Sequence, residues 1–154
     1  MTATLKKDLG KAGAWLGETS GGYDNALLRD VLLELANGGG GDLSARQATV
    51  ATATIGGLLV KRACKLTGLR TAVGTTGTAG STTVQVHKNG VAVTGAEATT
   101  ANTEADGTKK AVALTTAVAL AASDLVELVV SAAPTGGADL TATAEILPDV
   151  TVET

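Results

Sequence analysis

The sequence predicts a mainly β protein, an antiparallel β-sandwich of about seven or eight strands. Short runs rich in Val, Thr, Ala and Leu recur between residues 46 and 147, and clusters of Gly, Asn, Asp or Pro separate most of them. One cluster, Asn89-Gly90, is the strongest short-range signal of a β-hairpin, because a type I′ turn needs φ > 0 at both central residues. Helical spacing of apolar residues is seen only before residue 42, so the sandwich follows an N-terminal region of different character.

Five segments are expected along the chain. They are an extended N-terminal arm over 1–22, an amphipathic helix over 23–37, a Gly-rich linker over 38–45, the sandwich over 46–147 and a C-terminal tail over 148–154. Trp15 is an apolar anchor in an arm that otherwise contains many Gly and Lys residues. Four consecutive glycines lose much backbone entropy when they are fixed, which predicts a flexible linker.

The predicted helix carries an apolar stripe. Its members recur at helical spacing and are Leu27, Leu28, Val31, Leu32 and Leu35. Asp24 suits the N-cap of this helix, and Asn37-Gly38 suits its C-terminal stop. The stripe could pack on the sandwich, on other copies of the chain or on another protein. A helix on a glycine tether is easily repositioned, and this favours docking away from its own sandwich.

Eight runs are predicted as strands. They span residues 48–55, 58–66, 68–73, 82–88, 91–97, 110–118, 125–132 and 139–147. The last run alternates most regularly, with Leu140, Ala142, Ala144 and Ile146 on one face. In the run 125–132 both faces are largely apolar, which predicts that a neighbouring subunit covers the face turned away from the core.

The hairpin around Asn89-Gly90 contains the only histidine of the chain. Two-residue closure places Lys88 opposite Val91 and Val86 opposite Val93, so one face of the hairpin should be largely valine. His87 then lies on the other face. A catalytic base needs a nucleophile and an orienting group, and a metal site needs further ligands. We therefore expect an exposed strand histidine.

Two other features invite a chemical interpretation. The stretch GTTGTAGSTT over 74–83 is Gly-rich, but a phosphate-binding loop needs a Lys before Ser/Thr or a following helix, and here a strand follows. A mobile loop of the sandwich is the better interpretation. The single cysteine, Cys64, has the strand parity of Val60 and Leu66, which predicts a small buried hydrophobic residue rather than a nucleophile.

Composition and charge exclude several classes of function. The formal net charge is −3 and the pI is near 5.1, so nucleic acid is not an expected partner. Phe is absent, and Trp and Tyr occur once each, both before the sandwich, which leaves no aromatic wall for a sugar site or an active-site cleft. No cofactor or metal site is expected, and no enzyme. The N-terminus lacks the apolar region of a signal peptide, so we expect no membrane association and synthesis in the cytosol.

One basic cluster occurs in the sandwich. It consists of Lys61, Arg62, Lys65 and Arg70. Such residues form either a solvated face or a docking patch for an acidic protein surface. With Trp15 and the apolar stripe, they are the candidate partner-binding residues.

The stretch from about Ala48 to Ile146 resembles a compact sandwich domain common in structural proteins of tailed bacteriophages. The resemblance is carried by TATIGGLLVKRACKLTGLRTAVG, GTAGSTTVQVHKNGVAV, VALTTAVALAASDLVELVVSAA and PTGGADLTATAEI, with a "K-N-G" hairpin and an "L-A-A-x-D" turn before a late strand. It implies a short jelly roll and a virion component such as a capsid decoration (cement) protein, a head fibre, or a part of the tail or baseplate.

Among these roles we expect capsid decoration, on the surface of the virion. The chain is small, it has one sandwich, and its arm and helix could reach across a subunit boundary. The resemblance implies the major capsid protein or another virion protein as the partner, and a homotrimer. A fibre more often shows repeats or coiled-coil heptads, which this chain lacks. The alternative is a head-fibre, tail or baseplate component that binds a receptor or a glycan through Asp/Asn loops and Ca²⁺.

Overall fold

Eight strands follow one another in the computed structural model of the chain, which describes residues 41–148. They are β1 Leu43–Thr49, β2 Ala53–Leu59, β3 Cys64–Thr75, β4 Ser81–Lys88, β5 Val91–Ala101, β6 Thr108–Leu120, β7 Leu125–Ala132 and β8 Ala138–Pro148. The predictions of an arm over 1–22 and a helix over 23–37 concern residues outside the described range, as does nearly all of the predicted tail.

The strands form two antiparallel sheets of four strands each, which confirms the predicted mainly β, two-sheet fold. Sheet I has the order β1-β8-β3-β6, and sheet II has the order β2-β7-β4-β5. Consecutive strands change sheet at every connection except the β4–β5 hairpin. The connections therefore gather at the two ends of the sandwich, four at one end and three at the other.

The core between the sheets is aliphatic, as the near absence of aromatic residues requires. Leu66 and Leu69 of sheet I and Val86 and Leu128 of sheet II are fully buried. The predicted inner face of the last strand is confirmed, because its four apolar side chains are all buried. Cys64 is buried as well, as expected of a small hydrophobic residue.

Three predicted strand boundaries are wrong. The run 48–55 is not one strand, because β1 ends at Thr49 and β2 begins only at Ala53. The run 58–66 contains the β2–β3 connection, and β3 then continues unbroken through Gly68. A register shift lies at Gly68, where an added Cβ would be 2.7 Å from the carbonyl oxygen of Val112. This glycine allows close strand approach and does not end a strand.

The sandwich also begins earlier than residue 46. β1 starts at Leu43, inside the segment 38–45 that was predicted as linker. Its first residues pair with β8, since Leu43 lies opposite Ala144. The side chain of Asp42 accepts a hydrogen bond from the backbone N–H of Ile146 at 3.2 Å. β1 was missed because Ser44, Arg46 and Gln47 of LSARQAT are not typical strand residues.

The predicted hairpin is present, with φ of 52° at Asn89 and 80° at Gly90. Lys88 lies opposite Val91, as expected. The predicted pairing of Val86 with Val93 is wrong, because the register shifts between Gln85 and His87 and leaves extra residues on β5. Gly95 in this bulge has φ of 83°, a conformation that favours glycine. The valine face is consequently incomplete, and Val91 is 70% exposed.

The two ends of the sandwich differ in their connections. One end, which we call the basic end, is formed by the β2–β3, β4–β5 and β6–β7 connections at residues 60–63, 89–90 and 121–124. The other, the acidic end, is formed by the connections at residues 50–52, 76–80, 102–107 and 133–137. β1 starts and β8 finishes near the basic end, so the segments before residue 41 and after residue 148 join the sandwich there.

Candidate functional site

The basic end exposes the large apolar side chains of the sandwich. Within the described residues, the exposed large hydrophobics are Leu59 (61% exposed), Val91 (70%), Leu125 (37%) and Leu147 (57%). Each lies at or next to the last or first residue of a strand where that strand reaches this end. A grouping of exposed apolar residues at one place is typical of an interaction surface, whereas scattered ones are not.

Two of these residues are neighbours on the outer face of sheet II. Leu59 of β2 and Leu125 of β7 are directly opposite in the ladder. Asn89 of the hairpin joins them to β5, because its side-chain oxygen accepts a hydrogen bond from the backbone N–H of Leu125 at 2.8 Å. Val91, the first residue of β5, lies at the same end but has the parity of the inner face, because it pairs with Lys88, which pairs with buried Val126. Leu147 lies at the same end in sheet I.

Cations outnumber carboxylates in and beside the three connections of this end. Within two residues of the three connections, the charged side chains are those of Lys61, Arg62, Lys65, Lys88 and Asp124. These connections thus carry four cations and one carboxylate, which pairs with Lys88, and the Asp42 carboxylate lies towards the same end on the backbone N–H of Ile146. Three of the four residues of the predicted docking patch lie at this end. Lys61 and Arg62 are in the β2–β3 connection, and Lys65 is the second residue of β3. Arg70 lies farther along β3 and pairs with Glu145 of β8.

Asp124 holds the connections of this end together. Its carboxylate accepts hydrogen bonds from the Asn89 side-chain amide at 2.7 Å and from the backbone N–H of Ala121 at 2.7 Å. The Lys88 Nζ lies 3.0 Å from the same carboxylate and donates a hydrogen bond to the carbonyl of Ala119 at 2.9 Å. The hydrogen bonds from Asn89, Ala121 and Lys88, in that order, lower the pKa of Asp124 from 3.8 to about 2.

We expect the contribution of Asp124 to stability to be lost in acid. Its pKa is lower in the folded chain, so its stabilisation is complete above about pH 4 and disappears as the pH falls towards 2. Asp124→Asn removes the carboxylate and should flatten this part of the pH profile. Urea unfolding of both chains between pH 2 and pH 7 measures the difference. Profiles of the same shape for parent and variant would contradict the assigned role.

The acidic end has a different character. Within two residues of its connections lie Glu104, Asp106 and Asp139, with Lys109 as the one cation. The Asp106 carboxylate is used structurally, since it accepts hydrogen bonds from the backbone N–H of buried Thr76 at 2.8 Å and from its hydroxyl at 3.1 Å. The sandwich is therefore polarised, with its exposed apolar and cationic groups at one end and its connection carboxylates mostly at the other.

The Gly-rich stretch 74–83 belongs to this acidic end. It contains the β3–β4 connection and continues into β4, so a strand follows it, as predicted. Thr78 donates its backbone N–H to the carbonyl of Thr135 at 2.9 Å, and Ala79 forms a bridge with Thr135. The connection is thus joined to the neighbouring β7–β8 connection by backbone hydrogen bonds.

His87 is half-buried and lies on the outer face of sheet II, as its parity predicted. Its Nε2 is 3.3 Å from the side-chain oxygen of Gln85, and the side-chain N–H of Gln85 donates a hydrogen bond to the carboxylate of Glu97. Glu127 lies opposite His87 in the ladder. Residues 41–148 contain no group of three or more His, Cys, Asp or Glu side chains that could hold a metal ion.

The structure locates only part of the predicted partner-binding set. Trp15 and the apolar stripe lie outside the described residues. The exposed apolar residues Leu59, Leu125 and Val91 were missed by sequence reasoning, although Leu125 and Val91 each follow a turn signal. The topology places all three at one end, with the start of β7 beside the finish of β2 and the start of β5 beside the finish of β4.

No protein family model matches the chain, and no curated protein matches it. Residues 41–148 contain no helix that is long and apolar enough to cross a membrane.

Proposed function

We propose that this protein is a non-enzymatic structural component of a tailed-bacteriophage virion, a capsid decoration protein that binds the outer surface of the major capsid lattice and stabilises it. The observation that carries the proposal is the basic end, where exposed apolar residues and four cations share one end of an otherwise polar sandwich. An acidic protein surface with apolar patches is the partner that this chemistry fits.

The order of the strands supports the finer description of the fold as a jelly roll. Two four-stranded sheets, with consecutive strands that change sheet at almost every connection, correspond to the eight-stranded double-sheet architecture that capsid domains share with lectins and cupins. A fold of this kind hosts many functions, so it supports a virion role only together with the site.

The predicted N-terminal elements complete the proposed attachment. The segment before residue 41 joins the sandwich beside the basic end, because Asp42 bonds the backbone of Ile146 there. The apolar stripe at 27–35 and the basic end can therefore contact the same partner. A homotrimer would present three such sites together and raise the overall affinity through effective concentration.

Particles with and without the protein test the proposed function. Particles that lack it should assemble, but they should break at lower temperature or under milder osmotic shock than decorated particles. Purified protein added back should restore the resistance, and electron microscopy should show it on the capsid surface. Equal robustness of both particles, or density on the tail or on fibres instead, would remove the decoration role and favour the receptor- or glycan-binding alternative.

A further inference from the structure

We propose that the free edge of β1 is the surface through which two copies of this chain would pair, and that Arg46 at the centre of this strand prevents the pairing. The inference does not rest on the proposed function, because it concerns the protein alone in solution. It follows from a comparison of the four strands at the edges of the two sheets, which are β1 and β6 of sheet I and β2 and β5 of sheet II.

Three of these edge strands are interrupted by extra residues. On β2, Ile55 is an extra residue at a shift of register. On β5, residues 93–96 lie opposite the single residue Val86 of β4. On β6, residues 114–117 lie opposite the single residue Thr67 of β3. Such bulges bend and twist a strand, and they protect an edge from pairing with another chain.

β1 differs from the other three edges in the described chain, because no bulge interrupts it. It pairs with β8 from Leu43 to Thr49 without a shift of register, and its sequence LSARQAT contains no glycine or proline. Since an edge strand has one neighbour, every second N–H and C=O group of β1 points away from β8. β1 therefore presents a regular row of backbone groups to which another strand could bond.

The strand that fits this edge is β1 of a second copy, because the other three edges of that copy are interrupted. Antiparallel pairing of two identical strands about a two-fold axis joins the same surface of both copies. The neighbouring side chains of Ser44 and Ala48 are small and do not obstruct the approach. The register that uses the whole strand pairs Leu43 with Thr49 and places the central residue, Arg46, opposite Arg46 of the other copy.

Arg46 prevents this pairing by its charge. Its side chain is 74% exposed and lies on the outer face of sheet I, where its residue pairs with Thr141. Like charges directly opposite each other in an antiparallel pair are destabilising, because the Cβ atoms are only about 5 Å apart. The carboxylate of Asp139 is 4.0 Å from the guanidinium, but it is itself 63% exposed, and an exposed pair of this kind is weak.

A shift of the register does not remove the obstacle without a loss. Moving the two strands by two residues separates the arginines, but it reduces the paired strand from seven residues to five. The pair then has fewer backbone hydrogen bonds to offset the cost of association. β1 is thus protected by a central charge, whereas the other edges are protected by extra residues.

An exchange of charge at position 46 tests the proposal. Arg46→Glu alone keeps like charges opposite each other, so it should sediment as the parent does. An equal mixture of parent and Arg46→Glu brings opposite charges together, and it should associate at least about fivefold more tightly than either protein alone. Sedimentation velocity at rising protein concentration measures this association, and high salt should weaken it.

Removal of the charge tests the same edge in a single protein. Arg46→Thr should self-associate at least about fivefold more tightly than the parent, because a residue that favours strands replaces the repelling pair. Lys61→Thr is the matched control. It changes the net charge by the same amount, but Lys61 lies in the β2–β3 connection and not in an edge strand, so this variant should sediment as the parent does.

Circular dichroism should show the same β-rich spectrum in all these chains, so that misfolding does not account for association. Equal sedimentation of Arg46→Thr and Lys61→Thr would overturn the proposal. A mixture of parent and Arg46→Glu that associates no more than its two components would overturn it as well, because residue 46 would then not face itself across the pair.

Discussion

Leu128→Ala should lower the free energy of unfolding by about 2–5 kcal/mol, the range for truncating a fully buried leucine. Leu128 is fully buried in β7, an inner strand of sheet II, where it lies opposite Gly56 on one side and Val86 on the other. Glycine offers no side chain to fill the space that the truncation leaves, which favours the upper part of the range. Urea unfolding with an unchanged denaturant slope measures the loss.

Leu125→Ala on the same strand is the control for this prediction. Leu125 lies on the outer face and is 37% exposed, so we expect its truncation to cost less than about 1 kcal/mol. Under the proposed function it should nevertheless weaken attachment, whereas Leu128→Ala should affect attachment only through stability. Equal losses of stability in the two variants would contradict the assignment of inner and outer faces to β7.

The elements best predicted from the sequence are those for which neighbouring residues alone allow only one conformation or one buried face. Asn89-Gly90 required a tight hairpin turn, and both residues have positive φ. The alternation around Leu140 identified the buried face of β8 correctly, because a one-residue slip would have exposed every apolar side chain of that strand. Cys64 was placed by parity alone, and it is buried.

The failures have a common physical cause, which is that strand boundaries and registers are decided by neighbours distant in sequence. β1 is stabilised by pairing with β8, about a hundred residues away, and its own residues give little strand signal. The bulge on β5 arises where the hairpin partner Gln85 pairs with Glu97 instead of a nearer residue. Neither feature is visible in a window of ten residues.

The candidate site shows the same division between local and distant information. Lys61, Arg62 and Lys65 were found because they are close in sequence. Leu59, Leu125 and Val91 are scattered, and only the sheet order brings them to one end. Arg70 was grouped with the lysines by sequence distance, but its guanidinium pairs with Glu145 on the outer face of sheet I.

Val31→Asp combined with Leu32→Asp should remove the protein from its particle while the sandwich still folds. Burying each apolar side chain is worth roughly 1.5–3 kcal/mol, partly offset by about 1–2 kcal/mol for each backbone residue that becomes ordered. The net binding free energy of a single copy is therefore modest. Each 1.4 kcal/mol lost weakens the affinity about tenfold, so two charges in the stripe should weaken binding about tenfold or more. Occupancy on particles, measured by sedimentation and gel densitometry, reports the loss.

Leu33→Asp is the matched control, since Leu33 would face the side of a 3.6-residue helix opposite to the stripe, and this variant should leave occupancy near that of the parent. Decoration at parental occupancy by the double variant would mean that the stripe is not the anchor.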